Sequence, residues 1–141
     1  MAELKFHYTV DASDFSRAGE TSSSVKKKLL QLGFSSETER KTAIAMYEGE
    51  INMVIHANGG TIDVSVEPKK IEVIMRDSGP GIPNVEKAMQ AGYSTAGDKV
   101  RELGFGAGMG LPNMKKYSDE MQIETKVGVG TTVRLVINPK E

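Results

Sequence analysis

The amino-acid sequence predicts an α+β fold, a two-layer sandwich with helices on one face of a mixed, mostly antiparallel sheet. The first observation is the element order β-α-α-β-β-α-loop-α-β-β, which segregates helices from strands that pair as neighbours. The second is the length of 141 residues, which suits one hydrophobic core. The third is a balance of 38% hydrophobic and 26% charged residues, typical of a globular protein. We therefore expect a single domain over residues 1–141.

The chain opens with a strand followed by a helix. Residues 4–10, LKFHYTV, alternate in polarity and carry aromatic and β-branched side chains, which predicts a strand. Asp14–Leu32 is predicted to be helical and to end at Gly33, although Gly19 weakens its middle. The Lys26–Lys28 triplet is interpreted as a solvated face of this helix.

A second, longer helix is the firmest prediction. Ser35 or Ser36 followed by Glu39 has the spacing of a capping box. The helix is predicted to run to about Ala57 and to end at the glycines of Asn58–Gly60.

The second half of the chain returns to strands. Residues 61–67 and 70–77 predict a hairpin turning at Pro68–Lys70. The remaining predictions are a short helix at 85–91, a glycine-rich loop at 92–108, a helix at 111–120 and closing strands at 122–126 and 131–137.

Composition excludes several classes of function. A net charge of −1 provides no overall attraction to nucleic acid or membranes, so neither is expected as a partner. There is no cysteine, which rules out disulfides and thiolate chemistry and suits a reducing compartment. No signal-like segment opens the chain and no apolar run approaches the roughly 18 residues of a membrane span. We expect a cytoplasmic protein.

Three polar side chains follow one flank of the long helix. Glu48, Asn52 and His56 are spaced i, i+4, i+8 and so lie one above the other. They flank an apolar stripe that is predicted to face the sheet, made of Ile44, Tyr47, Ile51, Val54 and Ile55. From spacing alone, plain helix surface is the better interpretation of these three side chains.

An aspartate followed by two glycines ends the second strand of the hairpin, in the segment Asp77-Ser-Gly79-Pro-Gly81. A carboxylate there can accept a hydrogen bond from an exocyclic amine. Glycines let a flat ring approach the backbone. The segment is therefore a candidate seat for adenine, the alternative being an ordinary loop after a strand.

Alternating glycines open the last predicted helix, in the run Gly104-Phe-Gly106-Ala-Gly108-Met-Gly110-Leu111. Backbone N–H groups at such a helix start can bind phosphates, although glycine-rich loops also serve as hinges. The run is not a P-loop, because no GK[ST] follows it, and it lacks the preceding strand of a dinucleotide fingerprint.

These motifs in this order resemble those of the GHKL ATPases, over about residues 5–138. The segment 48–57 is similar to their N box, 77–81 and 106–111 to their two glycine boxes, and 130–133 to their closing threonine strand. The resemblance implies a Bergerat-type ATP-binding fold. Within this superfamily, the motifs in the second half of the chain are most similar to those of the stand-alone anti-sigma-factor and switch-protein serine/threonine kinases of bacterial partner-switching systems.

The resemblance also implies a role for each matching residue. Asn52 would bind Mg²⁺, the metal cofactor of bound ATP, and Glu48 would act as general base or as a water-positioning group. Asp77 would hold the adenine amino group, supported by Thr131. His56 is expected to be structural. The backbone would contact the nucleotide at Gly79, Gly81, Gly106, Gly108, Gly110 and Leu111.

The implied activity is transfer of the ATP γ-phosphoryl group to a small antagonist protein. A non-catalytic module that sequesters a sigma factor or another partner when ATP is bound remains an alternative. A detached histidine-kinase domain is a weaker one, since His7 and His56 are the histidines available. The partner surface is expected on the first helix, around Asp14, Arg17 and Glu20, and a homodimer through the first strand is possible.

Three features depart from the family pattern. Glu50 is a second acid in the N box and is expected to point away from Glu48. Gly49 is a helix-weakening residue where a helix former is common. The charged segment 98–102 in the glycine-rich loop has no assigned role.

Overall fold

The computed structural model of the protein describes residues 3–11, 18–56, 59–79, 81–82, 89 and 110–139. These residues form five strands and three helices, in the order β1 (Leu4–Asp11), α1 (Glu20–Gln31), α2 (Ser36–His56), β2 (Gly59–Glu67), β3 (Lys70–Asp77), α3 (Gly110–Lys116), β4 (Glu120–Lys126) and β5 (Gly130–Ile137). The predicted helix at 85–91 and loop at 92–108 lie outside the described residues, apart from Met89.

The five strands form one sheet in the order β1-β2-β3-β5-β4. All four pairings between these strands are antiparallel. The buried side chains of the strands share a core with α1, α2 and α3, so the helices cover one face. The predicted α+β class is confirmed, and the register places Asp77 at the end of β3 directly opposite Thr131 on β5.

The helix predicted over Asp14–Leu32 is not continuous, and its first residues, 14–17, lie outside the described residues. α1 starts at Glu20, because Gly19 has φ 97°, a left-handed conformation that cannot continue a helix. The first N–H groups of a helix have no acceptor inside it. Here the amides of Gly19, Thr21 and Ser22 donate to the Glu50 carboxylate of α2, at 2.8, 3.3 and 3.1 Å. Glu50 therefore caps α1 from a neighbouring helix.

Gly19→Ala is expected to lower the free energy of unfolding by about 1–2 kcal/mol. The substitution forces a Cβ into a left-handed conformation, and that atom would lie 3.0 Å from the Tyr47 ring. Gly33→Ala is the matched control, since Gly33 has φ 86° but open space around it. Urea denaturation of both variants should show the larger loss for Gly19→Ala. An equal loss in both would mean that the Tyr47 contact is not part of the cost.

The lysine triplet of α1 is only partly solvated. Lys26 and Lys27 are exposed, whereas Lys28 turns back toward β1. Its Nζ donates to the Tyr8 hydroxyl at 2.7 Å and lies 4.4 Å from the centre of the Phe6 ring. Such cation–aromatic contacts stabilise partly buried ammonium groups. Lys28 thus attaches the C-terminal half of α1 to the edge strand β1. The prediction of a fully solvated lysine face is wrong for this residue.

Ser35 caps the long helix α2. Its Oγ accepts the Thr38 amide at 3.2 Å, so Thr38 occupies the position where a capping box would have Glu39. The predicted stripe is partly wrong, because Tyr47 is 39% exposed and Ile44 and Ile55 are only partly buried. Ile51 and Val54 are buried as predicted. The rest of the buried face consists of smaller residues and methionines: Thr38, Thr42, Ala45, Met46, Gly49 and Met53.

Gly49 explains this shift of the buried face. A Cβ at Gly49 would overlap the Met75 sulfur of β3 and lie 3.0 Å from the Met114 methyl of α3. The absent side chain lets α2 approach both elements closely, so the glycine that weakens the helix serves packing. The same contact brings the middle of α2 over the end of β3, near Asp77.

The third helix is shorter than predicted. α3 ends at Lys116 rather than near residue 120, and the Asp119 amide already donates to the Val136 carbonyl of β5 at 2.8 Å. β4 then starts at Glu120. Among the described helices, none combines the length and the apolarity needed to cross a lipid bilayer.

Candidate functional site

The α2 side of the candidate site carries Glu48 and Asn52. Both side chains are partly exposed, one turn apart, beside the buried Gly49 and Met53. The Glu48 Oε1 accepts a long hydrogen bond of 3.5 Å from the Asn113 amide of α3. Burial raises the pKa of Glu48 above the ordinary value of 4.5, and the Asn113 contact lowers the pKa again in part. A carboxylate with a raised pKa is a stronger base, which suits a proton acceptor.

Asp77 faces this helix from the end of β3. It lies two residues after Met75, so the two side chains share the face of the sheet that contacts Gly49. The Asp77 Oδ1 accepts two backbone N–H groups, from Gly79 at 2.9 Å and from Thr131 at 3.2 Å. These bonds hold the carboxylate in one orientation. Its Oδ2 makes no hydrogen bond to the described residues and keeps its acceptor capacity.

The turn after Asp77 packs against the β4–β5 hairpin. Gly81 has φ 79°, and a Cβ there would lie 2.6 Å from the Lys126 carbonyl oxygen. The next amide, that of Ile82, donates to the Thr125 Oγ1 at 2.9 Å. Thr125 in turn lies 2.8 Å from the Thr131 Oγ1. Hydrogen bonds therefore join the turn after Asp77 to β4 and β5 at this side of Asp77.

The glycine-rich segment is described only from its end. Gly106 and Gly108 lie outside the described residues, and Gly110 opens α3. The Leu111 side chain is 8% exposed and belongs to the core, so any contact of Leu111 with a nucleotide would come from its backbone. Its predicted role, like those of the glycines, stays a prediction.

The fold brings several predicted residues together. Asp77, Gly79, Gly81 and Thr131 form one cluster, and the Gly49–Met75 contact places Glu48 on the neighbouring helix. The sequence analysis did not find Asn113 or Thr125. Each contacts the site through a residue distant in sequence: Asn113 lies 65 positions from Glu48, to which it donates. Neither residue was assigned a role by a motif.

Residues 39–141 match the model of the histidine kinase-, DNA gyrase B-, and HSP90-like ATPases. The chain is 31% identical over 110 residues to the serine/threonine-protein kinase RsbT of Bacillus subtilis, covering 75% of this chain and 77% of RsbT. It is 33% identical over 140 residues to an anti-sigma F factor of Caldanaerobacter subterraneus, covering 96% of this chain and 91% of that factor.

Solved structures with low sequence identity share the fold. The RsbU and RsbW domains of a Mycobacterium tuberculosis protein give a TM-score of 0.65 at 17% identity, with 96% of this chain and 32% of that one covered. The SiaB–SiaC complex of Pseudomonas aeruginosa gives 0.61 at 15% identity, with 95% and 88% covered. The resemblance drawn from the three motifs is confirmed: the chain belongs to the family of histidine kinase-, DNA gyrase B-, and HSP90-like ATPases.

Proposed function

We propose that the protein is a serine/threonine protein kinase that transfers the γ-phosphoryl group of Mg-ATP to a small antagonist protein. The observation that carries the proposal is Glu48, a half-buried carboxylate with a raised pKa, one helical turn before Asn52 and on a helix packed over the end of β3. Similarity to RsbT, named as a serine/threonine-protein kinase, supports the same activity.

The chemistry needs positioning and charge stabilisation more than covalent catalysis. The acceptor hydroxyl oxygen forms a bond to the γ-phosphorus, the bond from that phosphorus to the β–γ bridging oxygen breaks, and ADP leaves. The proton of the hydroxyl passes to the Glu48 carboxylate. Loss of the proton makes the attacking oxygen more nucleophilic as the new bond forms.

Asp77 holds the base of the nucleotide in this proposal. Its Oδ2, which makes no hydrogen bond to the described residues, accepts the adenine amino group, and Thr131 supports the ring. Gly79 keeps the neighbouring backbone clear, while Gly81 lets the turn pack against the Lys126 carbonyl. The phosphates contact the backbone of the segment Gly106, Gly108, Gly110 and Leu111.

Asn52 is the proposed protein ligand of Mg²⁺. Its amide oxygen is a hard donor of the kind this ion prefers, and Mg²⁺ commonly takes one or two protein oxygens, substrate phosphates and water. Within the described residues no three His, Cys, Asp or Glu side chains gather into a metal-binding group. We also propose a cytoplasmic location, since the sequence has no cysteine.

The partner surface is proposed on α1. A shallow groove of about 670 Å³ runs along this helix, bordered by Glu20, Lys27 and Lys28 and by Tyr47 from α2. Of the predicted partner residues, Glu20 is exposed at the start of α1, whereas Asp14 and Arg17 lie outside the described residues. β1 lies at the edge of the sheet that the described strands form, which suits the proposed homodimer contact.

A non-catalytic binding module is the second candidate function. Similarity over nearly the whole chain to a protein named an anti-sigma F factor favours it specifically. Incubation with γ-labelled ATP and the small proteins encoded beside this one separates the two candidates. Label transferred to a Ser or Thr of a bound protein supports the kinase. ATP-dependent binding without transfer to any of the bound proteins supports the module.

Asp77→Asn is expected to weaken ATP binding by about 1.5–3 kcal/mol, measured by calorimetry. The variant turns one adenine-facing acceptor into a donor and removes the charge that strengthens the hydrogen bond. Asp63→Asn is a control, because Asp63 lies on the outer face of the sheet in contact with His7. Unchanged ATP affinity in Asp77→Asn would remove Asp77 from the adenine seat.

A further inference from the structure

Asn113 lies in the first turn of α3 and reaches across to the proposed base on α2. Its side-chain amide donates to the Glu48 Oε1 at 3.5 Å, and both side chains are partly buried. An ionised carboxylate only accepts hydrogen bonds, so it is the NH₂ group of Asn113 that faces Glu48. No sequence motif assigned a role to Asn113.

The position of Asn113 relative to Glu48 is set by the packing of the next residue along each helix. Met114, which follows Asn113, is 1% exposed. Its methyl lies 3.0 Å from the place that a Cβ on Gly49 would occupy, and Gly49 follows Glu48. Interior contacts of this kind are close-packed and leave the helices little room to slide. The Asn113–Glu48 pair therefore lies beside a fixed junction between α2 and α3.

The contact with Asn113 restricts a side chain that would otherwise be mobile. A glutamate has several rotatable bonds and loses conformational entropy when its carboxylate is held in one orientation. The bond from Asn113 occupies Oε1, whereas the described residues give Oε2 no hydrogen bond. One oxygen of Glu48 is thus held by α3, and the other keeps its capacity to accept a proton.

The length of the contact and its electrostatic effect both suit a base. Hydrogen bonds of catalytic groups are commonly long without substrate and tighten in the reacting complex, where a base lies about 2.6–3.2 Å from the proton donor. Burial raises the pKa of Glu48, and the Asn113 donor lowers it in part. The donor therefore favours the ionised form, which is the form that accepts a proton.

We propose that Asn113 is a positioning residue for phosphoryl transfer, which holds the Glu48 carboxylate in the orientation that receives the proton of the acceptor hydroxyl. Asn113 acts through Glu48 and contacts neither the nucleotide nor the acceptor in this proposal. The inference rests on the proposed kinase function, since it assigns to Asn113 the placing of the base.

Asn113→Ala removes the donor and introduces a residue that favours a helix. With γ-labelled Mg-ATP and a bound protein that accepts the label, single-turnover transfer should fall about three- to tenfold. Mg-ATP affinity, measured by calorimetry, should stay within about twofold of the parent, because the lost contact is made to the base and not to the nucleotide. Lys115→Ala is the matched control on an exposed position of the same helix and should transfer at the parental rate.

A double variant separates an action through Glu48 from a general effect on α3. In the Glu48→Gln background the base is absent, so adding Asn113→Ala should change the remaining transfer by less than about twofold. A purely structural contribution of Asn113 would reduce transfer equally in both backgrounds.

A conservative variant tests whether the amide donor is the cause. Asn113→Gln keeps the donor on a longer side chain and should restore most of the parental rate. The Tyr117 amide donates to the Asn113 carbonyl oxygen at 3.0 Å. Its hydrogen-exchange protection should be retained in every Asn113 variant, which establishes that α3 stays folded.

The outcomes separate this inference from the function on which it rests. If Glu48→Gln loses transfer while Asn113→Ala keeps the parental rate, the positioning role is overturned and the kinase function stands. The same conclusion follows if Asn113→Ala is equally damaging in the Glu48→Gln background, or if Asn113→Gln is as slow as Asn113→Ala. If the parent transfers no label to any protein that binds it, the kinase function itself fails, and the role of Asn113 fails with it.

Discussion

Glu48→Gln is expected to reduce phosphoryl transfer to the partner about 10²–10⁴-fold while leaving Mg-ATP affinity within roughly a few-fold of the parent. Glutamine keeps the size and the hydrogen-bonding reach of the side chain toward Asn113 but cannot take the proton of the acceptor hydroxyl. Single-turnover transfer from γ-labelled ATP measures the rate, and calorimetry measures the affinity. Transfer at the parental rate would show that Glu48 is not the base.

The pH dependence of phosphoryl transfer provides a second test of the role of Glu48. Glu48 must be ionised to act as a base, and burial raises its pKa above the ordinary 4.5. Transfer by the parent should therefore decline as the pH falls through a value above 4.5, and the residual transfer by Glu48→Gln should lack this dependence. Glu37→Gln, an exposed change in the first turn of the same helix, should retain both the rate and the pH profile.

Loss of activity through unfolding can be excluded with the same variant. Because the pKa of Glu48 is raised in the folded protein, its contribution to stability is present below the ordinary pKa and is lost as the pH rises through the raised value. At neutral pH, Glu48→Gln should consequently be at least as stable as the parent, and the difference should vanish in acid. If Glu48→Gln were less stable than the parent at neutral pH, the inference that the ionised Glu48 carboxylate destabilises the folded protein would be wrong.

Glu50→Gln is expected to lower the free energy of unfolding by about 2–4 kcal/mol, although Glu50 lies only two residues from Glu48. The Glu50 side chain is 2% exposed and accepts the three amides at the start of α1. Glutamine removes the charge and replaces one acceptor oxygen with an NH₂ group that faces backbone donors. Chemical denaturation measures the loss.

Hydrogen exchange locates this effect. The Gly19, Thr21 and Ser22 amides should exchange faster in Glu50→Gln, because the carboxylate is the acceptor that the described structure gives them. Glu48→Gln, on the same helix, should leave their exchange unchanged. Unaltered protection of the three amides in Glu50→Gln would show that Glu50 does not hold the start of α1. Since α1 carries the proposed partner surface, partner affinity should fall in this variant more than ATP affinity.

Local pattern alone was sufficient for most of the elements. Alternating polarity predicted all five strands to within two residues, because a strand with one buried face repeats every second residue. The Ser35 cap and the Pro68–Lys70 turn depend on neighbouring residues and were also predictable. The family followed from motifs whose order and residue types are visible without any contact.

The tertiary structure decided what depends on distant partners. The face that α2 buries follows from the Gly49 contact with Met75, and the start of α1 follows from Gly19 together with Glu50, 31 positions away. Thr125 and Asn113 acquire their contacts only when strands and helices pack together. Periodicity reports which side of an element is apolar but not which backbone comes near it. The sequence by itself therefore determined the fold class, the family and the predicted site residues, while the orientation of Asp77, the environment of Glu48 and the capping role of Glu50 were set by packing between segments far apart in the chain.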